Sequence, residues 1–342
     1  MLKTQMANFI NQQGGRVRAD VFVREHLMGE NGFYSKQADF RTSLRAQTFS
    51  NDSQGHAERT ALTVYRCVDE LRRYSPNVSF SEIGGGGGEF KKEFVKLAKG
   101  GNFRLHYTSI EPNENQRGIQ AVNGTTVRNG TAQKTDLEPR SVDFLFDEEV
   151  LDCLAPRILK VSFSGRAVQL KNELFVRARG DELSAEIGVA ERTRAVEFFE
   201  RHLTETKGAK EGECTYLSED YWAYWKERSR VLKESGASFS VDYGTFTGNS
   251  NSPLQEMSNM AGGLLRSVDR NADSLKPALD NPYRVDYTHV IDFNLQRKIA
   301  AEHGFGSKVV GMAEFAMMYE VPLNLNQLLT LSSRFAMIAY MQ

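Results

Sequence analysis

At 342 residues the chain is long enough to bury a large core, as one elaborated domain or two small ones. Lysine and arginine (43) nearly balance aspartate and glutamate (44), for a formal net charge of −1, so no basic excess marks a nucleic-acid surface and no acidic excess marks a disordered tail. The longest apolar runs fall short of a membrane span, and "MLKTQMANFINQQGG" at the N-terminus has neither a secretory apolar core nor an arginine-rich transit bias, which makes the cytoplasm the expected location.

In chain order, the first 55 residues are rich in polar and turn residues and, with the helix that follows, are expected to form an N-terminal helical cap over residues 1–75. That helix, within 56–75, places Ala61, Leu62, Val64, Tyr65, Val68 and Leu71 at helical spacing and leads into a strand at Phe80–Ile83. Five consecutive glycines, Gly84 to Gly88, come next, then a helix with Phe90, Phe94, Val95 and Leu97 on its inner side. Phe103–Pro112 reads as a strand, "ENQRGIQAV" as a helix, and "SVDFLFDEEVLDCL" as a strand to about Phe146 followed by a helix or turn. Residues 162–236 form a charged, largely helical insertion that holds both tryptophans, Trp222 and Trp225. Ala237–Gly244 is another strand, Pro253–Pro282 is loop-rich, and the apolar "LLTLSSRFAMIAYM" near the end makes a homodimer an expectation. Strands alternating with helices imply a mostly parallel sheet covered on both faces, an α/β domain over 76–342.

The glycine run admits three nucleotide readings. A P-loop ends in Gly-Lys-Ser/Thr, but Gly88 is followed by "EFKK". The dinucleotide spacing Gly-x-Gly-x-x-Gly, started at Gly84, Gly85 or Gly86, ends on Glu89, Phe90 or Lys91. What fits is Glu-x-Gly-x-Gly-x-Gly, carried by Glu82, Gly84, Gly86 and Gly88, the signature of S-adenosylmethionine (SAM) binding in Rossmann-like methyltransferases. Charge agrees with spacing: Glu82 and Glu89 would repel a pyrophosphate, whereas SAM carries an ammonium and a sulfonium. The second strand ends at Glu111, 23 residues after Gly88, where a carboxylate can accept both ribose hydroxyls. Thr131 and Ala132, in the turn before the next strand, are the expected adenine contacts.

After the fourth strand, "FDEEVLD" concentrates Asp147, Glu148, Glu149 and Asp152. On a helical turn Glu148 and Asp152 share a face, as do Glu149 and Asp152. Clustered carboxylates repel unless a cation lies between them. A guanidinium is the best geometric match, with the carboxylates fixing its fork and receiving the proton released on methylation. The same residues also fit an acidic helix N-terminus whose side chains are solvated. The aromatic group Tyr221, Trp222, Tyr224 and Trp225 fits either a cation–π wall or, at helical spacing, core packing.

Several of these motifs together resemble the MidA-like SAM-dependent methyltransferases, the family that includes the mitochondrial complex I assembly methyltransferase. "GFYS" and "ADFRTS" (Gly32–Ser35, Ala38–Ser43), "EIGGGGG", "SIEPNENQRGIQ", "EEVLDCL", "VDYG" (Val241–Gly244) and "VDYTHVIDF" follow one another in the family's order. Departures fall on Glu148, which stands at an asparagine position, on Pro156, displaced from just after Leu154, on Met312, where glutamine is common, and on "GGLLR" (Gly262–Arg266). The resemblance implies a class I SAM-dependent N-methyltransferase with an arginine or related guanidino group as acceptor. Together with the acidic turn it makes Glu148, Glu149 and Asp152 the expected catalytic residues, with Asp147 from that turn and Tyr34, Tyr243 and His289 from the matched motifs around the acceptor. Methylation of another amine or hydroxyl, and a SAM-binding assembly factor without essential catalysis, are the alternative readings. Cys67, Cys153, Cys214 and the six histidines have no metal-ligand spacing, so no metal is expected.

Overall fold

The computed structural model describes residues 1–36, 56–72, 75–121, 126–207, 209–246, 275–324, 327–328, 331–332 and 334–341. The motifs at Ala38–Ser43 and Gly262–Arg266 lie outside these residues. Over its described residues the chain divides into two units, one from Met1–Lys36, Asp152–Tyr221 and Leu264–Val290, the other from Gln37–Leu151, Trp222–Gly263 and Ile291–Gln342.

The second unit is built on a sheet. Strand β2 (Asn77–Ile83) pairs in parallel with β3 (Arg104–Ile110) on one side and β5 (Val142–Glu148) on the other. β3 pairs in parallel with β4 (Thr126–Arg128), and β5 with β10 (Leu232–Thr245). β13 (Arg334–Met341) runs antiparallel between β10 and β12 (Phe305–Gly311), which gives the order β12-β13-β10-β5-β2-β3-β4. This is the mostly parallel α/β sheet, Rossmann-like and of class I type, that the strand–helix alternation predicts. Its core packs the helices His56–Leu71 and Glu89–Lys99 against the sheet through phenylalanines. The Phe80 and Phe94 rings lie 4.3 Å apart and those of Phe90 and Phe146 4.0 Å apart. Pairs of this kind contribute roughly 0.5–1.5 kcal/mol beyond their buried area, and they fix the helix that follows the glycine run to β2 and β5.

The other unit is an antiparallel sheet, and it corrects the expected helical insertion over 162–236. β6 (Arg157–Ser164) lies between β7 (Ala167–Arg179) and β9 (Cys214–Leu217). β7 also pairs with β8 (Glu182–Val189) and with β1 (Arg16–Arg18). Helices Arg194–Thr206 and Asp220–Val231 account for only part of the segment. In β7, Val168, Leu170, Leu174, Val176 and Ala178 are buried while the residues between them are largely polar or charged. That is a strand's period of two, hidden by its charge content.

One further expectation is corrected. The proposed cap over 1–75 falls in both units, because residues 1–36 pair through β1 with β7 whereas the helix His56–Leu71 packs on the parallel sheet. The apolar tail is strand β13, whose residues from Arg334 to Ala339 are buried in the sheet between β10 and β12, which accounts for its apolarity. No helix among the described residues is long and apolar enough to cross a membrane.

Candidate active site

The glycine loop follows β2 at the C-terminal edge of the parallel strands, the edge where α/β folds of this kind bind their ligands. Gly84, Gly86 and Gly88 have φ of 69°, 47° and 83°, the left-handed region that glycine enters without penalty. These are the three glycines of the Glu-x-Gly-x-Gly-x-Gly spacing. At Gly86 an added Cβ would meet nothing within 4 Å, so the backbone there is open to close approach. Gly88 caps the helix Glu89–Lys99.

Two carboxylates brace the loop. Glu82 is buried, accepts a hydrogen bond from the Tyr107 hydroxyl at 2.5 Å, and lies so close beneath the loop that a Cβ on Gly85 would stand 2.6 Å from its Oε2. Burial pushes the Glu82 carboxyl up to about 7, against the pull of Tyr107 and Lys91. Glu111, at the end of β3, accepts the Gly86 amide on Oε2 (3.1 Å) and the Asn113 amide on Oε1 (2.9 Å). Burial raises its carboxyl above the ordinary range, and the two amides and Arg117 oppose that shift. Gln120 donates to the Gly86 carbonyl at 2.7 Å, and Lys91 donates to the Gln120 carbonyl at 2.7 Å. Three left-handed glycines, an open backbone at Gly86 and a carboxylate at the end of the neighbouring strand fit a SAM donor. Thr131 and Lys134 close a tight turn by reciprocal backbone hydrogen bonds of 2.9 and 3.1 Å, with Ala132 buried in it and Thr131 exposed.

Of the helix or turn expected after the strand, the structure has the turn. β5 runs on to Glu148, and residues 149–154 bend and turn instead of coiling. Strand alternation therefore puts Asp147 and Glu148 on opposite faces, and helical i,i+4 pairing does not apply. Asp147 is buried on an Arg228 ion pair, with the Tyr224 hydroxyl at 3.0 Å and Ser240 at 3.3 Å, so it belongs to the core of its unit instead of an acceptor pocket. Glu148 meets His56 Nε2 at 2.6 Å. Glu149 adopts φ 54°, in the left-handed region that a glutamate rarely occupies, and binds the Arg334 guanidinium. Arg334 also stacks over the Tyr243 ring, 4.4 Å from its centroid. The basic partners of the acidic turn are thus Arg228, His56 and Arg334.

Tyr34, Asp152 and His289 belong to the other unit. The Tyr34 hydroxyl donates to Asp286 Oδ1 at 2.7 Å and lies 3.2 Å from Cys153 Sγ. Cys153 in turn lies 3.3 Å from Asp152 Oδ1. His289 Nε2 meets the Tyr221 hydroxyl at 2.6 Å, and burial pushes its imidazole down to about 4. In the aromatic group, Tyr221, Tyr224 and Trp225 are buried, and Arg228 lies 3.2 Å over the Tyr224 ring and 5.9 Å from that of Trp225, so the cation these two rings face is an internal one.

His56, Arg334, Tyr107 and Gln120 were not legible as site residues. Arg334 alone left a signal, as a lone charge inside an apolar run. His56 opens its helix with no motif around it.

A seven-strand path with a single reversed strand, a left-handed glycine loop and an acidic end to the next strand define a class I SAM-dependent methyltransferase. The family model described as "Putative S-adenosyl-L-methionine-dependent methyltransferase" matches residues 60–311, and the chain belongs to that family. Among solved structures it is similar to a superfamily member from Burkholderia thailandensis bound to S-adenosyl-homocysteine, at 15% identity and TM-score 0.69, covering 100% of this chain and 92% of that one. A native structure of a protein from the same organism and superfamily matches at 16% identity and TM-score 0.68, covering 100% and 91%. Both show the shared fold. No curated protein matches the sequence.

Proposed function

We propose that the chain transfers the methyl group of SAM to a guanidino nitrogen, in free L-arginine, a related guanidino metabolite or an arginine side chain. The observation that carries this reading is the way the end of β5 holds a guanidinium. Arg334 lies between the Glu149 carboxylate and the Tyr243 ring face, with Glu148 also acting on it electrostatically. Carboxylate edge and aromatic face are the two elements that recognise a planar delocalised cation. An acceptor of the same chemistry would draw on the same two elements by sharing or displacing Arg334, beside the glycine loop, where Ile83 and Asp147 are paired residues of adjacent strands. When bound, SAM supplies an electrophilic methyl carbon on sulfur. The chain's own part is to hold the acceptor nitrogen in line with it and to exclude water, which is where proximity and fixed charge contribute most.

The test is mass spectrometry of the purified protein incubated with SAM and either free L-arginine or an arginine-containing peptide. The expected result is gain of one methyl group by the acceptor with equimolar S-adenosyl-homocysteine. Tight SAM binding with neither acceptor methylated would remove the guanidino reading, leaving another amine or hydroxyl acceptor, or an assembly role without chemistry.

A further inference from the structure

We propose that His56 is the base that takes the proton released on methylation, and that Glu148 orients it. This inference rests on methyl transfer itself and on no particular acceptor.

His56 is 3% exposed and opens the helix His56–Leu71. Its Nε2 lies 2.6 Å from Glu148 Oε1, with Thr60 Oγ1 at 3.4 Å. Its Nδ1 is buried and has no hydrogen-bond partner among the described residues. The facing charges are Glu148 and, acting through it, Arg334 of β13 and Glu82 of β2. His56 and Arg334 hold the Glu148 carboxyl below its ordinary range against the effect of burial. An ionised carboxylate only accepts, so Nε2 carries the hydrogen and the lone pair is left on Nδ1. The opposite tautomer would set a lone pair against the carboxylate and strand a buried N–H, two penalties where this assignment has one. A buried lone pair without a partner in an otherwise satisfied cluster calls for an explanation, and an incoming X–H group supplies it.

Position agrees with the chemistry. Glu148 ends β5, next to the strand that leads into the glycine loop, and a Cβ on Gly84 would lie 2.9 Å from Val150 Cγ2, so the turn just past Glu148 packs on that loop. The proton balance is simple. The acceptor heteroatom forms its bond to the methyl carbon, the electron pair of the broken carbon–sulfur bond stays on sulfur, and the acceptor's proton moves to Nδ1 while the electrons of the broken X–H bond stay on the heteroatom. Glu148 stabilises the imidazolium so formed, in the way a carboxylate serves the histidine of a hydrolytic triad. Glu148 is thus a positioning residue and His56 the catalytic one.

The first test needs no acceptor. Nitrogen-15 NMR of the histidine-labelled protein should show His56 with a protonated Nε2 and a bare Nδ1, and Glu148→Ala should collapse this into a mixture of tautomers. A hydrogen on Nδ1 in the wild-type protein, or an imidazolium throughout the range in which the protein stays folded, would overturn the proposal. The second test is single-turnover methyl transfer by His56→Gln, which keeps a donor for Glu148 and removes the base. The rate should fall on the order of 10²–10⁴-fold and the acid limb of its pH profile should vanish, with SAM affinity held within about threefold. Wild-type rates in His56→Gln would overturn the proposal too. If arginine proves not to be the acceptor, the tautomer result is untouched, so the two readings fail separately.

Discussion

Arg334 binds Glu149 through both Nε and Nη2 on a single carboxylate oxygen, a contact that joins residues 185 apart in sequence. The arginine is 4% exposed and Glu149 sits in a left-handed backbone conformation, so the pair holds an otherwise unfavourable turn in place. Removing one partner takes a close charge contact away from the other. Arg334→Leu and Glu149→Ala should each destabilise by about 1–3 kcal/mol, discounted from a fully buried pair because Glu149 is partly exposed. The double variant should lose less than the sum, since the second change removes a contact that the first has already broken. Urea unfolding of the four proteins measures the coupling, and strict additivity would show that the pair does not hold the turn. In the proposed reaction Glu149→Ala should also abolish methyl transfer while leaving SAM affinity nearly unchanged.

The five glycines should not be equivalent. Gly86→Ala meets no neighbour within 4 Å, so its penalty is the left-handed backbone alone, roughly 1–2 kcal/mol. Gly85→Ala has no such φ, but its Cβ would stand 2.6 Å from Glu82 Oε2 and push that carboxylate off Tyr107. Gly84→Ala combines a φ of 69° with an approach of 2.9 Å to Val150 Cγ2, and should be the worst of the three for stability. Calorimetric titration with SAM alongside thermal unfolding separates the effects. Gly86→Ala should lose affinity out of proportion to its stability loss, because it fills the open side of the loop.

The glycine loop was legible because one requirement, positive φ, selects one residue type, and spacing then picks Gly84, Gly86 and Gly88 from a run of five. Glu111 was legible because a strand end is a local feature. The acceptor side was not. The basic residues there, His56 and Arg334, come from a helix start and a distant strand, and only the folded sheet brings them to Glu148 and Glu149. Asp147 was grouped with the acceptor because it lies in the same short acidic stretch, whereas a strand's alternation sends it inward to Arg228. Some matched motif residues prove structural. Asp292 caps the helix Phe293–Glu302 through the amides of Asn294 and Leu295, and a Cβ on Gly244 would collide with Phe293 at 2.5 Å.

Burial of Glu82 makes the parallel-sheet unit less stable as pH rises. Its carboxyl lies near 7 in the fold against an ordinary 4.5, so between these values the folded state holds a proton that the unfolded state has lost. The stabilising contribution is therefore complete below about pH 4.5 and is lost as pH rises through about 7. The full effect is on the order of 3 kcal/mol. Glu82→Gln keeps a partner for Tyr107 and removes the titration. Its difference from wild type in hydrogen exchange of β2 amides should carry this slope, and a flat difference between pH 4.5 and 7 would reject the assignment.

His26 gives the other unit the opposite dependence. It is fully buried, donates from Nε2 to the Val285 carbonyl at 2.7 Å, and accepts the Tyr283 amide on Nδ1 at 2.9 Å. Both ring nitrogens are thus committed to the neutral form, and burial pushes the imidazole down to about 4 from its ordinary 6.5. Here the unfolded state binds the proton more readily, so the stabilising contribution is present above about pH 6.5 and is lost as pH falls through about 4. Protonation at Nδ1 removes the lone pair that holds the Tyr283 amide, so the loss should be local. After correction for intrinsic rates, hydrogen exchange should show the Tyr283 amide losing protection as pH drops from 6.5 to 4, while β2 amides gain it over the same interval. Loss of protection at both sites together would mean that acid acts on the whole fold through groups other than His26 and Glu82.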